Sequence, residues 1–363
     1  MLYPSGFALQ QGAIKKREAV GGLANGEKGC KMIIISGGSG FIGSALLWRL
    51  NQESFDNIMI VDSWQTSSKW LNIRARRFTQ ALPKEDFLPW LQNQADPREI
   101  EVVFHLGACS STEEKNVDYL LRNNVHYSME LFRYCAQHEI PFIYASSAAT
   151  YGGAERGFAD EHSAAAALEP INPYGLSKKI FDSWVLQQCQ LPPLWVGLKF
   201  FNVFGPNEYH KGAMRSLVCK AVPQIRETGL VKLFKSSRPN IRDGEQSRDF
   251  VYVKDVVEVM LHFWRQAQNL ENREGCSGLY NVGTGQARSF YDLVKAVFVA
   301  MEKPCAVSWV EMPDSIKDGY QYFTEAEMTK LYSQGGYTKP FMSLEAAVYD
   351  YVVHYLGDGE KYL

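Results

Sequence analysis

Met32-Ile-Ile-Ile-Ser36-Gly37-Gly38-Ser39-Gly40-Phe41-Ile42-Gly43 is the stretch on which the fold of this 363-residue chain turns. Its first residues are apolar and β-branched, the pattern of a strand buried on both faces. Glycines 37, 40 and 43 follow at G-x-x-G-x-x-G spacing, and an apolar helical pattern then runs through Leu50. Strand, glycine turn and helix in that order let the backbone turn tightly and bring a helix N-terminus up to a pyrophosphate. The stretch therefore predicts the opening unit of a dinucleotide-binding sheet.

Working outward, residues 58–62 read as a second strand ending in Asp62, an acid suited to an adenosine ribose hydroxyl. Lys69, Arg74, Arg76, Arg77 and Lys84 follow, and such cations can hold a 2′-phosphate. Those residues alone leave NAD and NADP both open. Residues 102–106 form a third strand, leading into Gly107-Ala108-Cys109-Ser110-Ser111-Thr112, small residues where backbone approaches a ligand. Cys109 has no basic neighbour in sequence and reads as a wall residue. A helix over 118–138 carries Asn123 and Asn124, each either bonded to a facing loop or simply exposed. Residues 141–145 and 194–200 supply the fourth and fifth strands. Strand and helix alternate throughout, which predicts an α/β, Rossmann-type doubly wound parallel sheet.

After residue 206 the alternation breaks down. His210-Lys211-Gly212, an amphipathic stretch to about 228, a short strand near Leu233 and a polar loop ending at Arg248 predict a smaller mixed α/β substrate-binding domain. Core pattern returns at 249–253 and in the helix after it, with one more strand at 279–282. The expected division is a flexible extension at 1–31, a cofactor domain at 32–201 plus about 249–283, and a substrate domain at 202–248 plus about 284–363.

Asn172-Pro173-Tyr174-Gly175-Leu176-Ser177-Lys178 carries the chemistry. Asn172 is a good N-cap and Pro173 suits the first helical position, so Tyr174 and Lys178 share one helix face. A free phenol titrates near 10, too high for a base. An ammonium at roughly 4 Å and an effective dielectric of ~20 would favour the phenolate by about 4 kcal/mol. We therefore expect Lys178 to bring Tyr174 toward neutral pH, where acid–base catalysis is efficient. The fourth strand delivers Ser147, which can hydrogen-bond the reacting oxygen.

Composition closes off other classes. The net charge is −2 with both signs mixed, so there is no basic footprint for nucleic acid or an anionic membrane. No apolar run nears the ~20 residues that span a bilayer. Seven scattered cysteines without a C-x-x-C pair argue against a disulfide framework or a zinc site and fit the reduced cytoplasm.

Taken together, the glycine loop, Ser147 and Tyr-x-x-x-Lys resemble the extended short-chain dehydrogenase/reductase superfamily. Residues 145–153 and His210-Lys211-Gly212 narrow the resemblance to nucleotide-sugar epimerases acting on an ADP-heptose. That resemblance covers nearly all of 32–356. It implies NADP as a tightly bound cofactor, epimerisation at C6 through oxidation and re-reduction, and a homo-oligomer, a pentamer in this family. Ser147, Tyr174, Lys178 and Lys211 are then the catalytic set. Besides Gly37, Gly40 and Gly43, the cofactor-facing residues are Phe41, Ile42, Asp62, Lys69, Lys84, Asn123 and Val203, with Gly107, Ala108, Cys109 and Ser110. The substrate-facing residues are Asn202, Arg248, Tyr320 and Phe234, with Lys211 and Ser147. The chain departs from the family pattern at Ser63 and Leu106, where Asn and Glu are usual on the cofactor side. On the substrate side Ala213 replaces a serine, Lys220 replaces a histidine, and the 237–247 loop is longer. A related 4-epimerase or reductase would share Ser147, Tyr174 and Lys178 without needing Lys211. A 4,6-dehydratase is disfavoured because Ala148-Ala149 stand where its acid pair belongs. A redox-inactive dinucleotide-binding protein could have lost the acid–base residues that this chain keeps.

Overall fold

The run at 32–36 becomes an inner strand of a seven-stranded parallel sheet. The computed structural model describes residues 31–153, 157–269, 274–314, 320–357 and 359–363, so the reading of 1–31 as an extension lies almost entirely outside them. In chain order the strands are β1 (Met32–Ser36), β2 (Ile58–Asp62), β3 (Gln80–Pro83), β4 (Ile100–His105), β5 (Phe142–Ser147) and β6 (Trp195–Phe200). Then come β7 (Asn202–Phe204), β8 (Val231–Phe234), β9 (Ser247–Tyr252), β10 (Gly278–Val282), β11 (Ala287–Ser289) and β12 (Val307–Val310).

The main sheet runs β10-β6-β5-β4-β1-β2-β3, every pairing parallel. Alternate side chains point to opposite faces. Ile33, Ile35, Ile60, Val102 and Val196 thus pack into one core, and Ile34, Met59, Val61, Val103 and Phe142 into the other. Strand order reverses between β1 and β4, which opens the crevice where doubly wound sheets take ligands.

Two small sheets lie outside this frame: β11-β9-β7, and β8 paired in parallel with β12. The expected strand near Leu233 is β8, and its partner β12 falls after residue 284, where no individual strand is expected. β3 was also missed, because Gln-Ala-Leu-Pro is exposed, short and ends in proline, as an edge strand allows. The helix expected over 118–138 begins at Val117 and is interrupted by a π-helical turn at Leu121–His126 before resuming at Tyr127–Gln137. Such turns gather at functional sites, and this one holds both asparagines.

Candidate active site

One cleft of about 1350 Å³ runs over the carboxyl ends of the main strands and on between the small sheets. At its floor the turn after β1 meets the turn after β4. Gly37 has φ +74°, and a Cβ there would sit 2.6 Å from the Gly107 amide nitrogen, so only glycine fits. The helix Phe41–Gln52 begins at Gly40 with no side-chain cap, leaving its first amides to the cleft. Gly40, Phe41, Ile42 and Gly43 all line it, as do Leu106, Gly107, Ala108, Cys109 and Ser110.

Asp62 closes the far side of the glycine turn. One oxygen accepts from the Ser39 amide at 3.0 Å and the Ser39 hydroxyl at 2.6 Å; the other accepts from the Ser63 amide at 2.7 Å and Lys69 Nζ at 2.5 Å. Asp62 and Lys69 line the cleft, whereas Ser63 does not. Lys84 and Asn123 also lie off the lining. Lys84 donates to the Asn123 side chain and sits 4.8 Å over the Tyr127 ring, and burial lowers its pKa. Asn124 does what a facing-loop asparagine should. It accepts from the Cys109 amide at 2.9 Å and donates to the Cys109 carbonyl at 3.0 Å, fixing the second turn. His105 beneath it hydrogen-bonds Ser36 and Ser128, and burial lowers its pKa to about 3.

Asn172 caps the helix Pro173–Val185 as expected, accepting from the Gly175 amide at 2.8 Å. Tyr174 and Lys178 reach the cleft from it, beside Ser147 at the end of β5. The fold does not bring the Tyr174 phenol toward neutral pH as expected. Burial raises the Tyr174 phenol to about 12, against which a hydrogen bond from Ser147 lowers it. Lys178 points its ammonium at the Ala145 carbonyl, 2.7 Å away, and burial lowers its own pKa to about 8. A cation spent on a backbone carbonyl offsets less of the desolvation cost of a phenolate than one aimed at the ring oxygen.

Lys211 lines the cleft from the short helical segment Tyr209–Met214, kinked at Gly212 with φ 55°. Its Nζ lies 5.2 Å over the Phe41 ring, so it reaches the start of the glycine-loop helix. Burial lowers its pKa, and Glu208 raises it. Glu208 is fully buried and closes the loop like a clip, accepting from the Gly205 amide at 3.3 Å, the Ser216 hydroxyl at 2.6 Å and the Ser216 amide.

Asn202, Val203, Lys220, Phe234 and Tyr320 line the remaining walls. Ala213 is exposed and off the lining, its carbonyl accepting from Lys220 Nζ at 3.2 Å. Arg248 is buried behind Tyr320, its guanidinium 5.2 Å over that ring and bonded to the Ser247 and Gln321 carbonyls. It reaches the cleft through the tyrosine. Sequence reasoning missed Asn207, Glu208, Arg215, Gln224 and Gln246. The first two follow Gly205-Pro206, which reads only as a turn, and the others sit in stretches whose burial is set from elsewhere.

Glycine-only turns and an uncapped twelve-residue helix at a switch point are the donor set that a dinucleotide pyrophosphate requires, and the residues fit that group. The NAD dependent epimerase/dehydratase family model matches residues 33–283, and the chain belongs to that family. It is 47% identical over 340 residues, 92% of this chain and all of the relative, to the ADP-L-glycero-D-manno-heptose-6-epimerase of Fusobacterium nucleatum. The protein of the same name from Nitratidesulfovibrio vulgaris is 44% identical over 332 residues, again 92% of this chain and all of the relative. Among solved structures, ADP-L-glycero-D-manno-heptose-6-epimerase of Helicobacter pylori superposes with TM-score 0.70 at 27% identity, covering 89% of this chain and 95% of that one.

Proposed function

We propose that this chain is an NADP-dependent epimerase that inverts C6 of ADP-D-glycero-D-manno-heptose, giving ADP-L-glycero-D-manno-heptose. The observation that carries the reading is that Tyr174 and Lys211, carried by two separate helical segments, line one cleft beside a dinucleotide turn. The curated relatives at 44% and 47% identity support the substrate.

A bound nicotinamide supplies a reversible hydride acceptor. The chain's residues handle the proton and the oxygen. Tyr174 takes the proton of the C6 hydroxyl, and Ser147, hydrogen-bonded to the phenol, holds the same oxygen. Lys178 lends positive charge beneath. The resulting ketone must present its other face before it is reduced, which requires turning about C5–C6. Its oxygen then lies away from Tyr174, and Lys211 serves as the second proton donor. Phe234 and its neighbours take the nucleotide end, with Tyr320 set on Arg248.

NADP is favoured over NAD by the state of Asp62. Each of its oxygens already accepts two hydrogen bonds, the usual capacity of a carboxylate, so a ribose diol finds no free acceptor. Lys69, ion-paired with Asp62 on the cleft wall, keeps two further N–H donors for a 2′-phosphate. The reading keeps the division into a cofactor body, 32–201 with 249–283, and a substrate body, 202–248 with 284–363. It further assigns the chain to the cytoplasm, as a homo-oligomer, in the supply of lipopolysaccharide core heptose. No helix among the described residues is long and apolar enough to cross a membrane.

The test is direct: the protein and ADP-D-glycero-D-manno-heptose, with no added reductant, followed by NMR at C6. Inversion to an equilibrium mixture is expected. An unchanged C6 centre, with the fold intact, rejects the reading.

A further inference from the structure

Tyr174, Lys178 and Asp182 follow one another at four-residue intervals on the helix Pro173–Val185, so they share one face. That face is fastened to β5 residue by residue. Tyr174 meets Ser147, Lys178 donates to the Ala145 carbonyl, and Asp182 accepts from Ser146 Oγ at 2.6 Å and Tyr144 OH at 3.0 Å. Asp182 also pairs with Lys199 of β6 at 2.8 Å, the two side chains being 1% and 2% exposed. Lys199 donates further to Thr150 Oγ1 at 2.9 Å and lies 5.1 Å over the Tyr151 ring.

A buried ion pair is a poor device for stability alone, since apolar side chains of similar volume often serve as well or better. Holding a helix on a sheet does not account for a charge here. The neighbour that can use it is Lys178, one turn along the helix.

We propose that Asp182 is a positioning residue for Lys178: paired with Lys199, it fastens the helix to β5 and keeps the buried Lys178 ammonium charged. The proposal rests on the reading of Tyr174 and Lys178 as the acid–base pair. Several groups surround Lys178. Tyr174 and Asp182 stand on its own helix, Ala145 offers a carbonyl from β5, and Cys109 approaches from the turn after β4. His105 of β4 faces it as well, and burial keeps that ring neutral. Among these groups Asp182 is the carboxylate, and it is the largest influence opposing the desolvation of Lys178.

The test titrates Lys178 itself. The full chain is labelled with [ε-13C]lysine, and the Lys178 signal is assigned by its loss in Lys178→Arg. Two variants bear in opposite directions. Lys199→Met leaves the Asp182 charge unshared, and the Lys178 midpoint should rise. Asp182→Asn combined with Lys199→Met strands neither charge and keeps an amide for Tyr144 and Ser146; the midpoint should fall by about one pH unit, a tenfold loss in proton affinity. The alkaline limb of turnover should fall with it. Midpoints that stay put in the folded variants overturn the proposal, as does a shifted midpoint that leaves the alkaline limb where it was. Should Lys199→Met not fold, the double variant decides. A chain inactive on ADP-heptose would defeat the proposed function, while the NMR titration would still read Lys178.

Discussion

The Asn207 side-chain nitrogen donates to Ser44 Oγ at 3.0 Å, tying the segment that carries Lys211 to the helix that begins at the glycine turn. Its side-chain oxygen accepts from the Leu363 amide at 3.0 Å, and its carbonyl from Asn72 Nδ2 at 3.1 Å. One buried asparagine thus joins four parts of the chain. Its backbone stands at φ 75°, which asparagine tolerates better than most residues.

Two substitutions separate these roles. Asn207→Gly keeps the left-handed backbone and loses the side chain; it should cost about 1–3 kcal/mol by leaving buried partners unmade. Asn207→Ala adds backbone strain of roughly 1 kcal/mol or more. Denaturant midpoints at constant m-value measure both. Equal midpoints for the parent and Asn207→Gly would show that the clamp carries no stability.

Lys211→Met tests the second proton donor. Loss of a general acid or base typically costs about 10²–10⁴ in turnover with binding nearly intact, whereas loss of a phosphate contact chiefly raises KM. We expect the first pattern under saturating substrate. Near-normal kcat with a large rise in KM would reduce Lys211 to a diphosphate contact.

Cofactor choice is expected to follow Lys69. Lys69→Ala should weaken NADP, which loses a cation for its 2′-phosphate, and strengthen NAD, because the Asp62 oxygen that Lys69 occupies becomes free for a ribose hydroxyl. Lys84, turned to Asn123, should narrow the preference less when replaced by Ala. Calorimetric affinities for both dinucleotides decide. Equal affinities in the unmodified chain would return the assignment to Asp62 and NAD.

His105 should make the fold acid-sensitive. Its folded pKa is lowered to about 3 from 6.5, so between those values the unfolded chain binds the extra proton and stability rises with pH. Stability is therefore lost as pH falls from about 6.5 toward 3, by up to roughly 1.4 kcal/mol per pH unit. His105→Gln, which carries no titrating proton, should flatten that slope. A slope unchanged between parent and variant in urea titrations at pH 4 and pH 6 would locate the acid sensitivity elsewhere.

What the sequence determined by itself was whatever short-range pattern can encode. β1 and β2 fall on the residues their β-branched runs predict, and Asn172-Pro173 starts its helix where an N-cap and a first-turn proline should. The glycine turn is legible because no other residue fits a backbone that close. Tertiary structure alone decided the rest. β8 was legible near Leu233, but β12 is a strand because it found β8 as its partner. Lys178 points to the Ala145 carbonyl rather than serving the phenol alone, because the helix face is set by β5 beneath it. Asn207, Glu208 and Asp182 look like ordinary polar residues in sequence. They matter because folding removes them from water, and a buried polar group must find its partners from wherever the chain brings them.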